Sequence, residues 1–209
     1  MDRKGILLVV SGFSGAGKGT LMKELVSRYD NYALSISATT RSPREGEVDG
    51  REYFFRTKEE FEQMIADEAL IEHACYVGNY YGTPRAYVEE QLALGRDVIL
   101  EIEIQGALQI KKRFPDTLLL FVSTPDAETL KNRLIGRGTE SLDVVEKRLS
   151  RASEEAEGIE NYDYFIINDD LDTCVTQVHQ IIQGEHNRVS RNLELINTIK
   201  KDISKFQKG

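Results

Sequence analysis

Cysteine is scarce in this sequence, with only Cys75 and Cys174 among 209 residues. Two cysteines so far apart exclude a disulfide framework and a thiolate zinc site. Long apolar runs are also lacking, because the longest one near the start covers only residues 6–10. That is too short for the core of a signal peptide or for a membrane span. We therefore expect a cytoplasmic protein without a membrane partner.

Positive charge is in deficit, since 27 Lys and Arg face 35 Asp and Glu, for a net charge of −8. An acidic surface repels a phosphate backbone, so we expect no nucleic-acid partner, although a local basic pocket is compatible with this balance. Prolines are few and scattered, yet hydrophobic residues make up 40% of the chain. This composition predicts a globular protein of one domain with embellishments or of two small domains.

Short apolar runs alternate with helical patterns along the chain. The runs cover residues 6–10, 98–100, 118–122 and 164–167. Such runs are typical of strands buried on both faces of a parallel sheet. The helical patterns cover residues 21–29, 105–113, 126–135, 142–157 and 173–182. This alternation predicts an α/β fold with a largely parallel sheet.

Two segments depart from this rhythm. Residues 35–95 contain strand-like patterns at 34–38 and 53–55, a helical pattern at 59–67 and a turn with a flanking strand at 77–82. We predict a mixed, β-rich lobe there, inserted between core segments 5–34 and 96–184. Within 126–157, Gly136 and Gly138 join two helical patterns that carry several arginines. Glycines at such a joint predict a mobile helical lid.

A glycine-rich segment, Gly12-Phe-Ser-Gly-Ala-Gly-Lys18, fits G-x-x-x-x-G-K between a predicted strand and a helical pattern. Its glycines let successive N–H groups point at an anion, and Lys18 can bridge the β- and γ-phosphates of a nucleotide. A glycine-rich turn with a solvated lysine is the weaker alternative, and the spacing does not fit a dinucleotide-binding turn. The predicted nucleotide-binding residues are Gly12, Phe13, Ser14, Gly15, Ala16, Gly17, Lys18, Gly19 and Thr20.

The position after Lys18 usually supplies a hydroxyl to Mg²⁺, but here it is Gly19, and the hydroxyl follows at Thr20. Mg²⁺ dehydrates reluctantly and commonly keeps several waters. We therefore expect Mg²⁺ to be held mainly by the nucleotide and by water, and we assign no protein ligand to it.

The segment 39–55 resembles the signature of guanylate kinases, enzymes that phosphorylate GMP with ATP. The signature T-[ST]-R-x-x-[KR]-x-x-[DE]-x-x-[GA]-x-x-Y-x-[FY] is matched by Thr39, Thr40, Arg41, Arg44, Glu47, Gly50, Tyr53 and Phe55. The segments 78–82, 100–106, 136–139 and 167–170 also resemble the family. The resemblance covers about residues 5–184 and implies a P-loop NTPase-type sheet flanked by helices, with a GMP-binding insertion and a lid.

The resemblance also implies the acceptor site. Residues that match Arg41, Arg44, Tyr53 and Tyr81 bind the phosphate of GMP in the family, and residues that match Ser37, Glu72 and Thr83 bind guanine. Two arginines three residues apart can fork onto one phosphate. A carboxylate can accept both the N1–H and the 2-amino group of guanine.

Other site residues are implied in the same way. In the family, an acidic residue at the position of Glu101 lies near the metal. An acidic residue at the position of Glu103, usually aspartate, helps to hold the nucleoside. The implied catalytic residues are Lys18, Arg41, Arg44, Arg137 and Arg148, and the ATP-binding set gains Arg133, Arg137 and Asn168. The expected partners are ATP with Mg²⁺ and GMP, and the expected reaction gives ADP and GDP, with dGMP as a second acceptor.

The end of the chain, residues 185–209, follows the resembling segment. Its apolar residues, Val189, Leu193, Ile196, Ile199, Ile203 and Phe206, are spaced by 4, 3, 3, 4 and 3 residues. This nearly heptad spacing predicts an amphipathic helix that packs on the core or mediates self-association, and we favour packing on the core. Binding to a membrane surface is a weaker alternative, because the stripe is short and lacks tryptophan.

Two alternative functions belong to other classes. One is a P-loop kinase for a different nucleoside monophosphate or a sugar phosphate, although Glu72 and Ser37 favour guanine. The other is a catalytically inactive scaffold that binds a phosphopeptide in the acceptor site. Such scaffold domains typically have a degraded phosphate loop, whereas the motif from Gly12 to Lys18 is intact.

Overall fold

The computed structural model of this chain describes residues 4–76, 78–136 and 142–208. In chain order the elements are β1 (Leu7–Gly12), α1 (Lys18–Arg28), β2 (Tyr32–Leu34), β3 (Ala38–Thr39), β4 (Phe54–Phe55), α2 (Lys58–Ala66), β5 (Leu70–Tyr76), β6 (Asn79–Pro84), α3 (Arg85–Ala93), β7 (Asp97–Glu101), α4 (Ile104–Arg113), β8 (Leu118–Ser123), α5 (Ala127–Ile135), α6 (Leu142–Ala156), β9 (Tyr164–Ile167), α7 (Leu171–His186) and α8 (Leu193–Ser204).

The larger sheet has five strands in the order β2-β7-β1-β8-β9, and every neighbouring pair is parallel. Val9 of β1 pairs in register with Leu100 of β7 and with Leu119 of β8. These strands are apolar on both faces because helices cover both faces. The predicted α/β fold with a parallel sheet is confirmed.

Four helices cover the larger sheet. Leu21 of α1 and Val175 of α7 pack on one face together with Leu8. Val88 of α3 and Ile110 of α4 pack on the other face. Burial of each such side chain stabilises the fold by about 1.5–3 kcal/mol, so the two clusters hold the carboxyl ends of the strands in fixed positions. None of the described helices is both long and apolar enough to cross a membrane.

The smaller sheet is mixed, with the order β4-β3-β6-β5. Strands β3 and β4 are parallel, whereas β6 is antiparallel to both β3 and β5. Phe61 of α2 packs with Ala38 and Leu70 beneath this sheet. The prediction of a β-rich, mixed insertion is confirmed by this second sheet.

The prediction of one strand over residues 34–38 is wrong. Leu34 ends β2 and pairs with Ile99 in the larger sheet, whereas Ala38 begins β3 and pairs with Gly82 in the smaller one. The chain changes sheets between them, after the Ser35 N–H has donated to the Ile99 carbonyl at 2.9 Å. Apolar residues continue to alternate across this change of sheet, so the sequence pattern resembles that of a single strand.

The structure also differs from the predicted limits of the insertion, which ended at residue 95. Helix α3 packs on the larger sheet through Val88, so the smaller sheet ends with β6 at Pro84. Both α3 and β5 were absent from the predicted elements.

Helices α5 and α6 form a layer with its own small core. Leu130 and Leu134 of α5 pack against Val145 and Ala152 of α6, and Phe13 of the phosphate loop joins them. The segment predicted as a lid therefore contacts the loop that it is expected to cover.

The C-terminal region differs from the favoured prediction. Helix α7 crosses the predicted boundary at 184 and buries Glu185, which accepts a hydrogen bond from the Tyr164 hydroxyl at 2.8 Å. The predicted helical extension contains α8, but most of its apolar stripe is exposed rather than packed on the core, with Leu193 52% exposed, Ile203 55% and Phe206 85%. The spacing of apolar residues predicts a helix with an apolar face, but it does not predict what packs against that face.

Candidate active site

The phosphate loop follows β1, and its backbone is held by a buried amide. Asn168 donates from Nδ2 to the Ala16 carbonyl at 2.8 Å. Gly17 has φ of 86°, and a Cβ there would lie 2.6 Å from that Nδ2 atom. Glycine is therefore required at this position both by the left-handed backbone and by the close approach of Asn168.

Lys18 is the first residue of α1, so the positive end of the helix and the ammonium lie together. Its Nζ donates to the carbonyl oxygens of Gly12 and of Phe13, the latter at 3.1 Å. The ammonium is thus held over the loop, where an anion bound by the loop N–H groups would meet it.

A cavity of about 600 Å³ opens at the carboxyl ends of β1 and β7. Ligands bind at this edge in open α/β sheets. The predicted site residues that line it are Gly12, Ser14, Lys18, Ser37, Tyr53, Glu101, Glu103 and Arg148. One cavity is therefore lined by residues of the phosphate loop, of the inserted lobe that contains the smaller sheet, and of α6.

A second cavity of about 350 Å³ lies beside the loop and the start of α1, and it shares Ser14 with the first cavity. Thr20 and Glu101 line it together with Lys18 and Lys23. A hydroxyl and a carboxylate are oxygen donors of the kind that Mg²⁺ prefers while it keeps several waters. These residues fit Mg²⁺, although the described part of the chain has no cluster of three or more His, Cys, Asp or Glu at metal-binding geometry.

Arg41 is held at the edge of the lobe by a carboxylate and two aromatic rings. Its Nη2 donates to both Glu47 oxygens at 2.9 Å. The guanidinium lies 5.3 Å from the centre of the Tyr53 ring, whose own centre is 6.1 Å from that of Tyr81. Burial raises the pKa of the Tyr53 hydroxyl, so it remains a hydrogen-bond donor at neutral pH. Arg44 is exposed on the same segment.

Glu72 of β5 and Thr83 of β6 face each other across the antiparallel pair. Thr83 donates from Oγ1 to Glu72 Oε1 at 2.8 Å, and both side chains are buried. A Cβ on Gly106 of α4 would lie 3.7 Å from Glu72 Oε2, at ordinary van der Waals distance. Burial raises the pKa of the Glu72 carboxyl, and the hydrogen bond from Thr83 partly offsets this rise.

The arginines near the loop lie on α5 and α6. Arg148 of α6 donates from Nη1 to Ser14 Oγ at 3.1 Å. Arg133 of α5 donates from Nη2 to the Asp169 carbonyl oxygen at 3.5 Å. Arg137, predicted as a catalytic lid residue, lies outside the described residues.

The structure brings some predicted residues together and leaves others apart. Glu72 and Thr83 are not among the residues that line the larger cavity, and Asn168 is buried where it donates to the phosphate loop. Glu103 is paired with Arg151 of α6 at 2.6 Å, a contact that no pattern in the sequence predicts. No pattern gives Glu47 a role beyond its place in the signature either.

This chain is similar to known proteins over most of its length. A sequence model of the guanylate kinase family matches residues 4–185. A guanylate kinase of Bacillus cereus is 53% identical over 191 residues, which cover 91% of this chain and 93% of that one. Another, from Clostridioides difficile, is 53% identical over 194 residues and covers 93% and 95%.

A solved structure gives the same result. The crystal structure of guanylate kinase from Anaplasma phagocytophilum matches with a TM-score of 0.72 at 30% identity, covering 90% of this chain and 89% of that one. The family match, the two relatives and this structure each span most of the chain. The chain therefore belongs to the guanylate kinase family.

Proposed function

We propose that this protein transfers the γ-phosphoryl group of ATP to a phosphate oxygen of GMP, giving ADP and GDP. The observation that carries the proposal is the shared cavity, which Lys18 and Arg148 line from the donor side and Ser37 and Tyr53 from the acceptor lobe. Family membership supports the same substrates.

The donor side is assigned to the phosphate loop and the lid. The loop N–H groups and Lys18 bind the β- and γ-phosphates of ATP, because the helix end and the ammonium concentrate positive charge there. Arg148 contacts the loop through Ser14 and is suited to neutralise charge that develops on the transferred group. Arg133 and Arg137 complete the proposed lid arginines, and Asn168 holds the loop in shape.

The acceptor phosphate is assigned to Arg41, Arg44, Tyr53 and Tyr81. Arg41 is already oriented by its contacts, and its aromatic neighbours carry hydroxyl donors. A guanidinium fork matches phosphate oxygens bidentately. These residues are proposed to hold the GMP phosphate in line with the phosphate loop.

Guanine is assigned to Glu72, Thr83 and Ser37. An ionised carboxylate can accept from both the N1–H and the 2-amino group of guanine, whereas adenine presents an acceptor at N1. Thr83 fixes one Glu72 oxygen, which orients the carboxylate for this contact. Glu101 and Glu103 are proposed to contact the nucleoside, with Arg151 positioning Glu103.

The chemistry is an in-line displacement. A bond forms between a GMP phosphate oxygen and the γ-phosphorus, while the bond from that phosphorus to the ADP oxygen breaks. The acceptor needs no general base, because its second pKa is about 6 and it is ionised near neutrality. Catalysis then comes from positioning and from charge neutralisation by Lys18 and the arginines.

Mg²⁺ is the proposed companion of ATP, and when bound it neutralises charge on the β- and γ-phosphates. Thr20 and Glu101 would hold it, directly or through water, from the cavity beside α1. The proposal extends to dGMP, since none of the phosphate and guanine contacts assigned above uses the ribose 2′-hydroxyl.

The lobe and the lid have proposed roles. The lobe that begins at residue 35 binds GMP, and α5 with α6 acts as a lid that excludes water when both substrates are bound. We propose that the enzyme works in the cytoplasm, a compartment in which thiols such as those of Cys75 and Cys174 stay free.

A second copy of this chain is the proposed occupant of the apolar face of α8. That face includes the exposed Leu193, Ile199 and Ile203. The segment 185–209 has six basic and three acidic residues in a chain of net charge −8, so it complements the acidic remainder of another copy. Truncation after Asn192 leaves Glu185 in place. It should lower the number of subunits per particle, measured by light scattering. A full-length chain that stays monomeric at high concentration would contradict this.

The activity is tested by coupled ADP release with GMP, dGMP, AMP, CMP and UMP as acceptors. We expect turnover with GMP and dGMP and at least about 10²-fold lower kcat/KM with the others, because a buried polar site rejects bases that leave it unpaired. Preference for another acceptor would support a different nucleotide kinase, and absence of ADP release with every acceptor would support a scaffold.

A further inference from the structure

Glu47 contacts both arginines of the acceptor-phosphate site. Its two oxygens accept from Arg41 Nη2 at 2.9 Å each, and Oε2 also accepts from the Arg44 backbone N–H at 2.7 Å. One carboxylate therefore fixes the side chain of one arginine and the backbone of the other.

We infer that Glu47 is a positioning residue that holds Arg41 in the orientation in which it binds the acceptor phosphate. The inference rests on the proposed function, because it takes the GMP phosphate as the ligand of Arg41. Glu47 itself is not proposed to touch the substrate.

The remaining contacts of Arg41 define what its fork can still do. Nη1 donates to the Ser42 carbonyl at 2.8 Å, and the guanidinium lies over the rings of Tyr53 and Phe55 at 5.3 and 5.9 Å. Within the described residues, the Arg41 Nε–H has no hydrogen-bond partner. The two Nη atoms are therefore held by hydrogen bonds and the flat face of the guanidinium by the rings. The Nε–H remains as a donor for phosphate.

Holding the fork in advance has an entropic benefit. A free arginine samples many rotamers and loses that freedom when it binds a ligand. In this chain the loss has already occurred in the substrate-free protein, so the substrate does not have to supply it. Accordingly, removal of Glu47 should weaken binding of the phosphate rather than of the nucleoside.

The charge of Glu47 acts in the opposite direction. Hydrogen bonds from the Arg44 N–H and the Arg41 guanidinium lower the pKa of the Glu47 carboxyl, so it is ionised at neutral pH and repels a phosphate dianion. Positioning tightens the binding of GMP, whereas charge alone weakens it. A neutral residue in place of Glu47 therefore weakens GMP binding if positioning dominates and tightens it if charge repulsion dominates.

The test compares Glu47→Gln with Glu45→Gln and Glu47→Asp. Glu45 is exposed and two residues away, so its substitution makes the same charge change without touching Arg41. We expect Glu47→Gln to raise KM for GMP about 10-fold, as loss of one charge-assisted hydrogen bond does. KM for ATP should stay within about twofold, Glu45→Gln should match wild type, and Glu47→Asp should recover part of the loss.

Calorimetric binding separates the inference from the proposed function. GMP and guanosine are titrated into the wild type and Glu47→Gln, whatever turnover the wild type shows with GMP. We expect Glu47→Gln to lose affinity for GMP and to keep its affinity for guanosine. Unchanged or tighter GMP binding would overturn the inference, and so would an equal loss for guanosine. Failure of the wild type to phosphorylate GMP would instead refute the proposed function.

Discussion

Thr83 donates its hydroxyl hydrogen bond to Glu72 at 2.8 Å in the buried interior of the acceptor lobe. Burial of an ionised carboxylate is costly for a fold, because a low-dielectric interior disfavours charge. The other oxygen lies near Gly106, where a Cβ would make an ordinary contact at 3.7 Å. Such a cost is expected at a site where a ligand such as guanine supplies further hydrogen bonds to the carboxylate.

The stability of the substrate-free protein should improve when Glu72 loses its charge. Burial raises the pKa of this carboxyl in the folded state, so its stabilising contribution is complete below the ordinary value of 4.5 and is lost as pH rises through the raised value. We expect Glu72→Gln to melt at a higher temperature than wild type at neutral pH, with the difference disappearing below that ordinary value. Scanning calorimetry across this range measures it.

The control for that experiment is Glu90→Gln, on the exposed side of α3, which should leave the melting temperature close to that of wild type. Equal melting temperatures for Glu72→Gln and wild type at neutral pH would contradict the account, because Glu72 would then carry no burial cost.

GMP binding should depend on pH through the same group. Only the ionised carboxylate of Glu72 accepts both guanine donors, so affinity should fall as pH drops through its raised pKa. Calorimetric titration of GMP at several pH values measures this, with Glu72→Gln as the variant in which the dependence on this group is lost. Identical pH profiles for the two proteins would assign the titration to another residue.

Lys18→Ala should reduce kcat by more than about 10²-fold, because a charge contact to the transferred group is lost. Fold and stability should remain, since Asn168 also braces the loop whose carbonyl oxygens accept from Lys18. Lys58→Ala, on the surface of α2, is the matched control. Steady-state kinetics decide the matter, and wild-type turnover by Lys18→Ala would refute the assignment.

Arg148→Ala should lower kcat by about 10²-fold or more, as expected for an arginine that neutralises transition-state charge. Its contact with Ser14 allows a separation of roles, because Ser14→Ala removes that hydrogen bond but keeps the guanidinium. We expect the loss in kcat to be much smaller for Ser14→Ala. Equal losses would indicate that Arg148 acts by shaping the loop.

The sequence predicted the larger sheet well, because buried parallel strands are continuous apolar runs. It missed β5, whose pairing shifts register between Leu70 and His73 and so breaks the alternation. It missed α3 because only Val88 and Gln91 are buried along that helix. The apolar stripe of α8 predicted a helix but not its exposure, since spacing does not specify a partner.

The candidate site was predicted unevenly for a similar reason. Motifs name residues such as Arg41 and Lys18, but they do not show which side chains hold them. The contacts Glu47–Arg41 and Glu103–Arg151 join residues whose pairing depends on how segments fold back on each other. No spacing rule of helices or strands predicts such pairs.

Guanine selection by Glu72 is the central claim, and kcat/KM of the wild type and of Glu72→Ala with GMP and with AMP tests it most directly. Each hydrogen bond to a charged acceptor contributes about 1.5–3 kcal/mol, and about 1.4 kcal/mol is tenfold. We therefore expect Glu72→Ala to lose at least about 10-fold with GMP, and about 10³-fold if both bonds are lost, while AMP turnover falls far less or rises. Equal losses with GMP and AMP would contradict the account, because Glu72 would then serve only the structure of the lobe.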